Sequence, residues 1–193
     1  MEQLKMYRLF DTPIAEPTLP EGYSFSHFVP GRDERAWCEC LRGGKLLGDR
    51  TDEEAYRDEI TNFKDIVPER DIWFIDRNGE HIGTATGFVF GGTNVGDMHQ
   101  VGIREDFRGK GLAKFLCYAV LSSLRDRGVH HVSLTTNEWR VPAVKSYLSA
   151  GFLPVEYDEG MEARWKTVLA NLNIDSVLML NDDATPYKII TKD

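Results

Sequence analysis

Residues Val101–Ala113, VGIREDFRGKGLA, form the stretch around which the rest of the chain is organised. Val101 and Ile103 continue an alternating pattern that begins near Gly96 and is typical of a strand. Beyond the glycines, apolar residues recur at the spacing of an amphipathic helix, at Leu112, Phe115, Leu116, Ala119 and Val120. A strand that leads through glycines into a helix N-terminus presents unpaired N–H groups. The stretch therefore predicts an anion-binding site.

The glycines of this turn do not form one of the common nucleotide-binding motifs. A dinucleotide fingerprint needs glycine where the chain has Lys114, and the Gly-Lys-Ser/Thr ending of a P-loop is absent. The pattern that fits is Arg/Gln-x-x-Gly-x-Gly/Ala, formed by Arg108, Gly109, Lys110, Gly111, Leu112 and Ala113. It resembles the pyrophosphate-binding motif of the GNAT acetyltransferase superfamily. The resemblance implies that these residues hold the pyrophosphate of acetyl-coenzyme A.

A second segment, Asn137–Phe152, NEWRVPAVKSYLSAGF, is similar to the same family. Pro142 sits where the first turn of a helix tolerates it. The GNAT pattern of a helix carrying Ala-x-x-x-Tyr and ending in Gly-Phe is matched by Ala143, Tyr147, Gly151 and Phe152. The family often has asparagine three residues before that alanine, where this chain has Arg140, and Asn137 lies three residues further upstream. Either side chain could reach the pantetheine arm or the acceptor.

The resemblance further implies contacts on the strand that enters the glycine turn. In the family two central strands separate, and free backbone groups of the first bind the thioester carbonyl and the pantetheine amide. Such N–H groups also serve as an oxyanion hole. The cofactor contacts expected beyond the glycine turn are those of Val101, Gly102, Ile103, Asn137 and Ala143.

Three side chains are candidates for proton transfer. Tyr147 is the expected acid for the departing thiolate, since family members use this tyrosine in that way. Asp97 and His99 alternate with Val101 on one face of the strand, and the family places a base there. A neutral imidazole titrates in the useful range without help. An acceptor amine that is already deprotonated would need no dedicated base.

The surrounding pattern predicts the fold class α/β (α+β), with a mixed sheet flanked by helices. Strands at 71–76, 81–90 and 96–103 follow one another as an antiparallel meander, with a tight turn at Asn78-Gly79. A strand–helix–strand unit then leads to 131–136 and favours parallel pairing of its two strands. The family resemblance adds that the central sheet is splayed.

We expect one domain with two appendages. Residues 1–20 contain three prolines and little periodicity, which predicts an N-terminal strap or mobile arm. Residues 21–160 form the GNAT-like domain, where Thr51 and Glu54 predict a capping box for a helix to about Asp65. Residues 161–193 are expected to be a helix and tail on the same domain, with two apolar runs that extend the sheet or meet another subunit. Side chains interpreted as core or acceptor wall are Trp37, Cys40, Leu41, Tyr56 and Phe63.

Composition narrows the classes of partner. The chain has 193 residues and a formal charge of −8, from 23 Lys and Arg against 31 Asp and Glu, so we expect no nucleic-acid partner. No run reaches membrane-spanning length, and we expect no membrane partner. The three cysteines form no metal-ligand pattern, so no metal is expected, and their odd number favours the reducing cytoplasm. A homodimer is possible.

The sequence therefore predicts a GNAT-like N-acetyltransferase. It would transfer acetyl from acetyl-CoA to a primary amine by direct attack in a ternary complex. The acceptor, a small molecule or a peptide, stays unidentified, because its walls lie where the resemblance is weakest. The alternatives are a longer acyl-CoA donor, a non-catalytic acyl-CoA sensor and an interaction protein without cofactor.

Overall fold

The computed structural model describes residues 2–193 and contains one mixed sheet with helices on both faces. The sheet has nine strands in the order β2-β3-β4-β5-β6-β1-β7-β8-β9. The strands are β1 Leu4–Leu9, β2 Ser24–His27, β3 Ile72–Arg77, β4 Glu80–Val89, β5 Val95–Ile103, β6 His131–Thr136, β7 Leu153–Glu156, β8 Ser176–Asn181 and β9 Pro186–Thr191. The helices are α1 Glu34–Arg42, α2 Asp52–Tyr56, α3 Pro68–Asp71, α4 Ala113–Asp126, α5 Val141–Ser149 and α6 Met161–Leu172.

The predicted meander and crossover are both present. Strands β2 to β5 pair antiparallel in sequence order, and Asn78 and Gly79 turn the chain between β3 and β4 with positive φ angles of 53° and 80°. Helix α4 then carries the chain to β6, which pairs parallel with β5. The alternation of apolar residues predicted these elements because their partners are neighbours in the sequence.

The expected strap at the N-terminus was wrong for its first part. Leu4–Leu9 is an inner strand that pairs antiparallel with β6 along its whole length and with β7 at Met6 and Tyr7. Leu4 and Met6 are fully buried, and the guanidinium of Arg8 donates to Ala150 O at 3.0 Å. Burial on both faces hides the alternation that identifies a half-exposed strand.

The tail continues the sheet of the same chain. Strand β8 pairs parallel with β7, and β9 pairs antiparallel with β8 at the outer edge. The Tyr7 hydroxyl donates to the carboxylate of Asp182 at 3.1 Å, which ties the turn between β8 and β9 to β1.

Two hydrophobic cores fill the two sides of the sheet. The larger core packs α4, α5 and α6 on one face, and the second packs α1 and α2 on the other. Trp37, Cys40 and Leu41 are fully buried in the second core, whereas Phe63 is 38% exposed. Of the side chains interpreted as core or acceptor wall, these three are therefore core. Among residues 2–193, no helix is both long and apolar enough to span a membrane.

The helix that begins at the predicted capping box departs from its expected course. Thr51 and Glu54 make both capping hydrogen bonds. The α-helix ends at Tyr56 and continues as a π-helical turn, Arg57–Thr61, so the expected end near Asp65 was wrong. A π turn inserts an extra residue and is frequent at functional sites.

Candidate active site

The two central strands separate after three paired positions. Val95, Gly96 and Asp97 pair with His131, Val132 and Ser133, and the rest of β5 keeps only β4 as a partner. Strand β6 pairs with β1 on its other side. A gap therefore opens between β5 and β6 immediately beyond Asp97.

Polar backbone groups of β5 point into this gap. The Arg104 N–H donates to Ile82 O on β4 at 2.9 Å. Because successive residues of a strand point their N–H groups to opposite sides, the Ile103 N–H points away from β4. Upstream, the pairing register shifts between Thr84 and Thr86, and the extra residue belongs to a bulge around Gln100, whose φ is +51°. Val101 follows that bulge directly.

The glycine turn follows the gap and presents open amides. Gly109 and Gly111 have φ angles of +73° and +69°, a conformation that glycine adopts without strain. Helix α4 begins at Ala113, and its N-cap, Leu112, supplies no side-chain cap. Within residues 2–193, the backbone N–H groups of Gly109–Lys114 donate to no other residue. A run of such groups at a helix N-terminus suits a phosphate or diphosphate.

Arg108 and Gly102 support this turn in different ways. The Arg108 Nε donates to Ile103 O at 3.0 Å, which joins the end of β5 to the glycine turn. Gly102 faces α1, where an added Cβ would lie 2.6 Å from Leu41 Cδ2 and 2.7 Å from Cys40 O. The lack of a side chain at 102 therefore lets α1 pack directly on β5.

Asp97 lies where the strands part. The Ser133 hydroxyl donates to its Oδ2 at 2.6 Å across the last paired position. Burial raises the pKa of Asp97, and the Ser133 hydrogen bond and the charge of His99 act in the opposite direction. A buried carboxylate with a raised pKa is a better proton acceptor than an exposed one.

His99 is held from the π turn rather than left free. Its Nε2 lies 3.1 Å from Glu59 O and 3.3 Å from Glu59 Oε2. Because both partners are acceptors, Nε2 carries the proton and Nδ1 holds the lone pair in the neutral ring. The ring packs against Phe63 with the centroids 4.9 Å apart. Glu59 was not among the predicted site residues, because it belongs to the π turn, far from β5 in the chain.

Tyr147 is buried on α5, 8% exposed, with its ring edge-on to Phe152 at a centroid distance of 6.0 Å. Within residues 2–193 its hydroxyl makes no hydrogen bond. Burial and the nearby Cys117 raise the pKa of the phenol, whereas Arg140 lowers it. The phenol is therefore protonated near neutral pH and has a proton to donate.

The remaining predicted contacts flank α5. Arg140 is the N-cap residue of α5, and its buried Nε has no hydrogen-bond partner among residues 2–193. Burial lowers the pKa of Arg140, and the neighbouring Tyr147 acts in the opposite direction. Ala143 lies in the first turn of α5, half-buried, and Asn137 follows β6 directly. Thus β5 carries Asp97 and His99 beside the gap, and a separate helix carries Tyr147.

Comparison with known proteins yields one family. The model of the acetyltransferase (GNAT) family matches residues 6–152. The chain is 33% identical over 153 residues to a mycothiol acetyltransferase of Thermomonospora curvata, with 77% of this chain and 50% of that protein aligned. A mycothiol acetyltransferase of Thermobispora bispora is 32% identical over 161 residues, covering 77% of this chain and 52% of that protein. The chain thus spans about half the length of these relatives.

A solved structure gives the same result for the fold. The GCN5-related N-acetyltransferase from Sphaerobacter thermophilus is similar with a TM-score of 0.62 and 28% sequence identity. The similarity covers 78% of this chain and 47% of that protein.

Proposed function

This chain belongs to the acetyltransferase (GNAT) family, and from that membership we propose that it transfers an acetyl group from acetyl-CoA to a primary amine. The amine would attack directly, with both substrates bound. The six open N–H groups of Gly109–Lys114 support the proposal most directly, because a diphosphate supplies the acceptors that these donors lack.

The residues of the turn and of β5 suit the two ends of acetyl-CoA. The amides of Gly109–Lys114, with Lys110 and Lys114, would hold the diphosphate. The backbone of Val101–Ile103 would hold the pantetheine and the thioester carbonyl at the gap. Bound acetyl-CoA would supply the acetyl group as a thioester, which loses its thiol when the amide bond forms.

Asp97 is the residue we assign as proton acceptor for the amine. It lies where the strands separate, its side chain is half-buried, and desolvation raises its pKa. Each turnover would move one proton from the amine to this carboxylate, directly or through water. His99, two residues further along β5, is the second candidate, with Nδ1 as its available basic atom.

Tyr147 is assigned as the acid. Its protonated hydroxyl has no partner within residues 2–193 and is free to donate to the departing sulfur. Arg140 lowers the pKa of this phenol and would stabilise the phenolate left after donation. Positioned proton donation contributes roughly 10² to 10⁴ in rate.

The acceptor is proposed to be a small-molecule amine, since the relatives at about a third identity are named mycothiol acetyltransferases. Such a molecule would bind beside Asp97. Helices α1 and α2 cover β3 to β5 on the face that carries Asp97, whereas the cluster of Tyr7, Val155, Leu180 and Ala184 contains no helical residue. An acceptor could therefore approach across β6.

Turnover with acetyl-CoA and a panel of amines tests the proposal. Released thiol is followed, and CoA binding is measured separately by calorimetry. We expect CoA binding, amine-dependent thiol release and a fall of roughly 10² to 10⁴ in kcat for Tyr147→Phe. Binding of CoA without turnover of any amine would identify an acyl-CoA sensor, and turnover only with longer acyl-CoA would change the donor.

A further inference from the structure

The π turn of α2 frees a backbone carbonyl. Asn62 N donates to Arg57 O at 2.9 Å, five residues back, and Phe63 N donates to Ile60 O at 3.0 Å. Within residues 2–193 no backbone N–H donates to Glu59 O, and the Nε2 of His99 occupies that position at 3.1 Å. The extra residue of the π turn thus exchanges a helical hydrogen bond for a contact with β5.

The carboxylate of the same residue collects three donors. Arg50 donates to Glu59 Oε1 at 2.7 Å, and Gln100 Nε2 donates to Oε2 at 2.6 Å. The third donor is His99 Nε2, at 3.3 Å from Oε2. These hydrogen bonds, that of His99 foremost, hold the pKa of Glu59 at about 2 against the opposing effect of burial. Its side chain is only 17% exposed, so the contacts are largely shielded from water.

Gln100 is the residue at which β5 bulges. Its φ of +51° lies in the left-handed region, which disfavours residues with a Cβ. Such a conformation persists only where the surroundings hold it. The hydrogen bond from its side chain to Glu59 holds this residue against the π turn. The bulge in turn sets which way the backbone of Val101 and the residues after it points.

We propose that Glu59 is a positioning residue for acyl transfer, which holds the β5 bulge through Gln100 and orients the ring of His99. This inference rests on the function proposed above. Glu59 touches no reacting atom in this scheme. It acts in two ways. It fixes the strand whose backbone would face the thioester, and it fixes the imidazole of His99, which lies beside Asp97.

Kinetics and binding together separate positioning from plain stabilisation. Glu59→Gln should lower kcat about tenfold to a hundredfold and raise the Kd for CoA by no more than about threefold, since the glycine turn is untouched and only the pantetheine contacts of β5 shift. Glu53→Gln is the matched control, because it removes the same charge from an exposed side chain of α2, which leads into the π turn. That control should change neither quantity.

A double-mutant cycle supplies the sharper test. Glycine adopts a positive φ without support, so in a Gln100→Gly background the bulge no longer depends on Glu59. In that background, the factor by which Glu59→Gln lowers kcat should be smaller than in the wild-type chain, by at least about threefold. Equal effects in both backgrounds, or a kcat for Glu59→Gln equal to that of Glu53→Gln, would overturn the inference.

Backbone amide NMR of the free protein tests whether Glu59 holds the β5 bulge, and this test does not depend on turnover. The amide signals of Val101, Gly102 and Ile103 should shift more in Glu59→Gln than in Glu53→Gln. The shifts caused by Glu59→Gln should be smaller in the Gln100→Gly background than in the wild-type background. If the wild-type chain turns over no amine, the proposed function fails and these shifts still decide whether Glu59 holds the bulge. Unchanged amide signals in Glu59→Gln would refute it.

Discussion

Replacing Gly102 by alanine should damage the fold through a single methyl group. The added Cβ would lie 2.7 Å from the backbone oxygen of Cys40 and 3.2 Å from Leu41 Cα. Both are backbone atoms of α1, which cannot rotate away as the end of a side chain could. Reaching an ordinary contact of 3.4 Å with the Cys40 oxygen requires β5 and α1 to separate by about 0.7 Å.

The expected size of this effect follows from overpacking. An extra carbon forced into a well-packed core destabilises by about 1 to 3 kcal/mol. For a chain of this length each kcal/mol lowers Tm by about 2 to 4 °C, so Gly102→Ala should unfold about 2 to 12 °C below the wild type. Glycine at 102 does not adopt a positive φ, so backbone strain adds nothing to this estimate.

Thermal unfolding followed by circular dichroism measures the difference. Gly44→Ala is the control, because Gly44 follows the same helix and its added Cβ would meet nothing closer than 3.4 Å. That variant should match the wild type or exceed it slightly, since alanine lowers the entropy of the unfolded chain. A Tm for Gly102→Ala within 1 °C of the control, on the order of experimental error, would refute the close packing of α1 on β5.

Three further changes test other parts of the molecule. Because the pKa of Asp97 is higher in the folded chain than in the unfolded chain, its contribution to the free energy of unfolding is largest below its unfolded-state pKa. That contribution is lost as the pH rises through its folded-state pKa. The free energy of unfolding of Asp97→Asn should therefore increase relative to that of the wild type as the pH rises, as measured by urea unfolding at several pH values. Arg8→Met leaves Ala150 O without its donor and should cost about 1 to 3 kcal/mol in the same assay. Lys110→Ala should weaken CoA binding at low ionic strength, with a smaller difference at high salt, measured by calorimetry.

Local signals were sufficient for the elements around the glycine turn. Strand β6 begins and ends at the predicted residues, His131 and Thr136. The capping box of Thr51 and Glu54 formed as its spacing indicates. In each case the residues that decide the structure lie within one turn or one strand of each other, so the pattern is complete in a short window.

Long-range contacts account for what the sequence did not reveal. Strand β1 pairs with β6, which ends at residue 136, far along the chain. It also contains Arg8, a charged residue of a kind that is not expected in a buried strand. Glu59 meets Gln100 across 41 positions, through a π turn that the helical pattern does not signal. The candidates Asp97, His99 and Tyr147 could be chosen from the family resemblance, but the group that orients His99 could not.

The place of β1 has a consequence for how the chain is made. Leu4–Leu9 leaves the ribosome well before its two neighbours in the sheet, which end at Thr136 and Glu156. The nascent strand must wait, with neither edge paired to another strand, until the residues up to Glu156 have been translated. Once β6 and β7 have been made, the slot between them can pair with the same hexapeptide from another copy as well as with its own, so crowded synthesis would favour exchange of this strand between molecules.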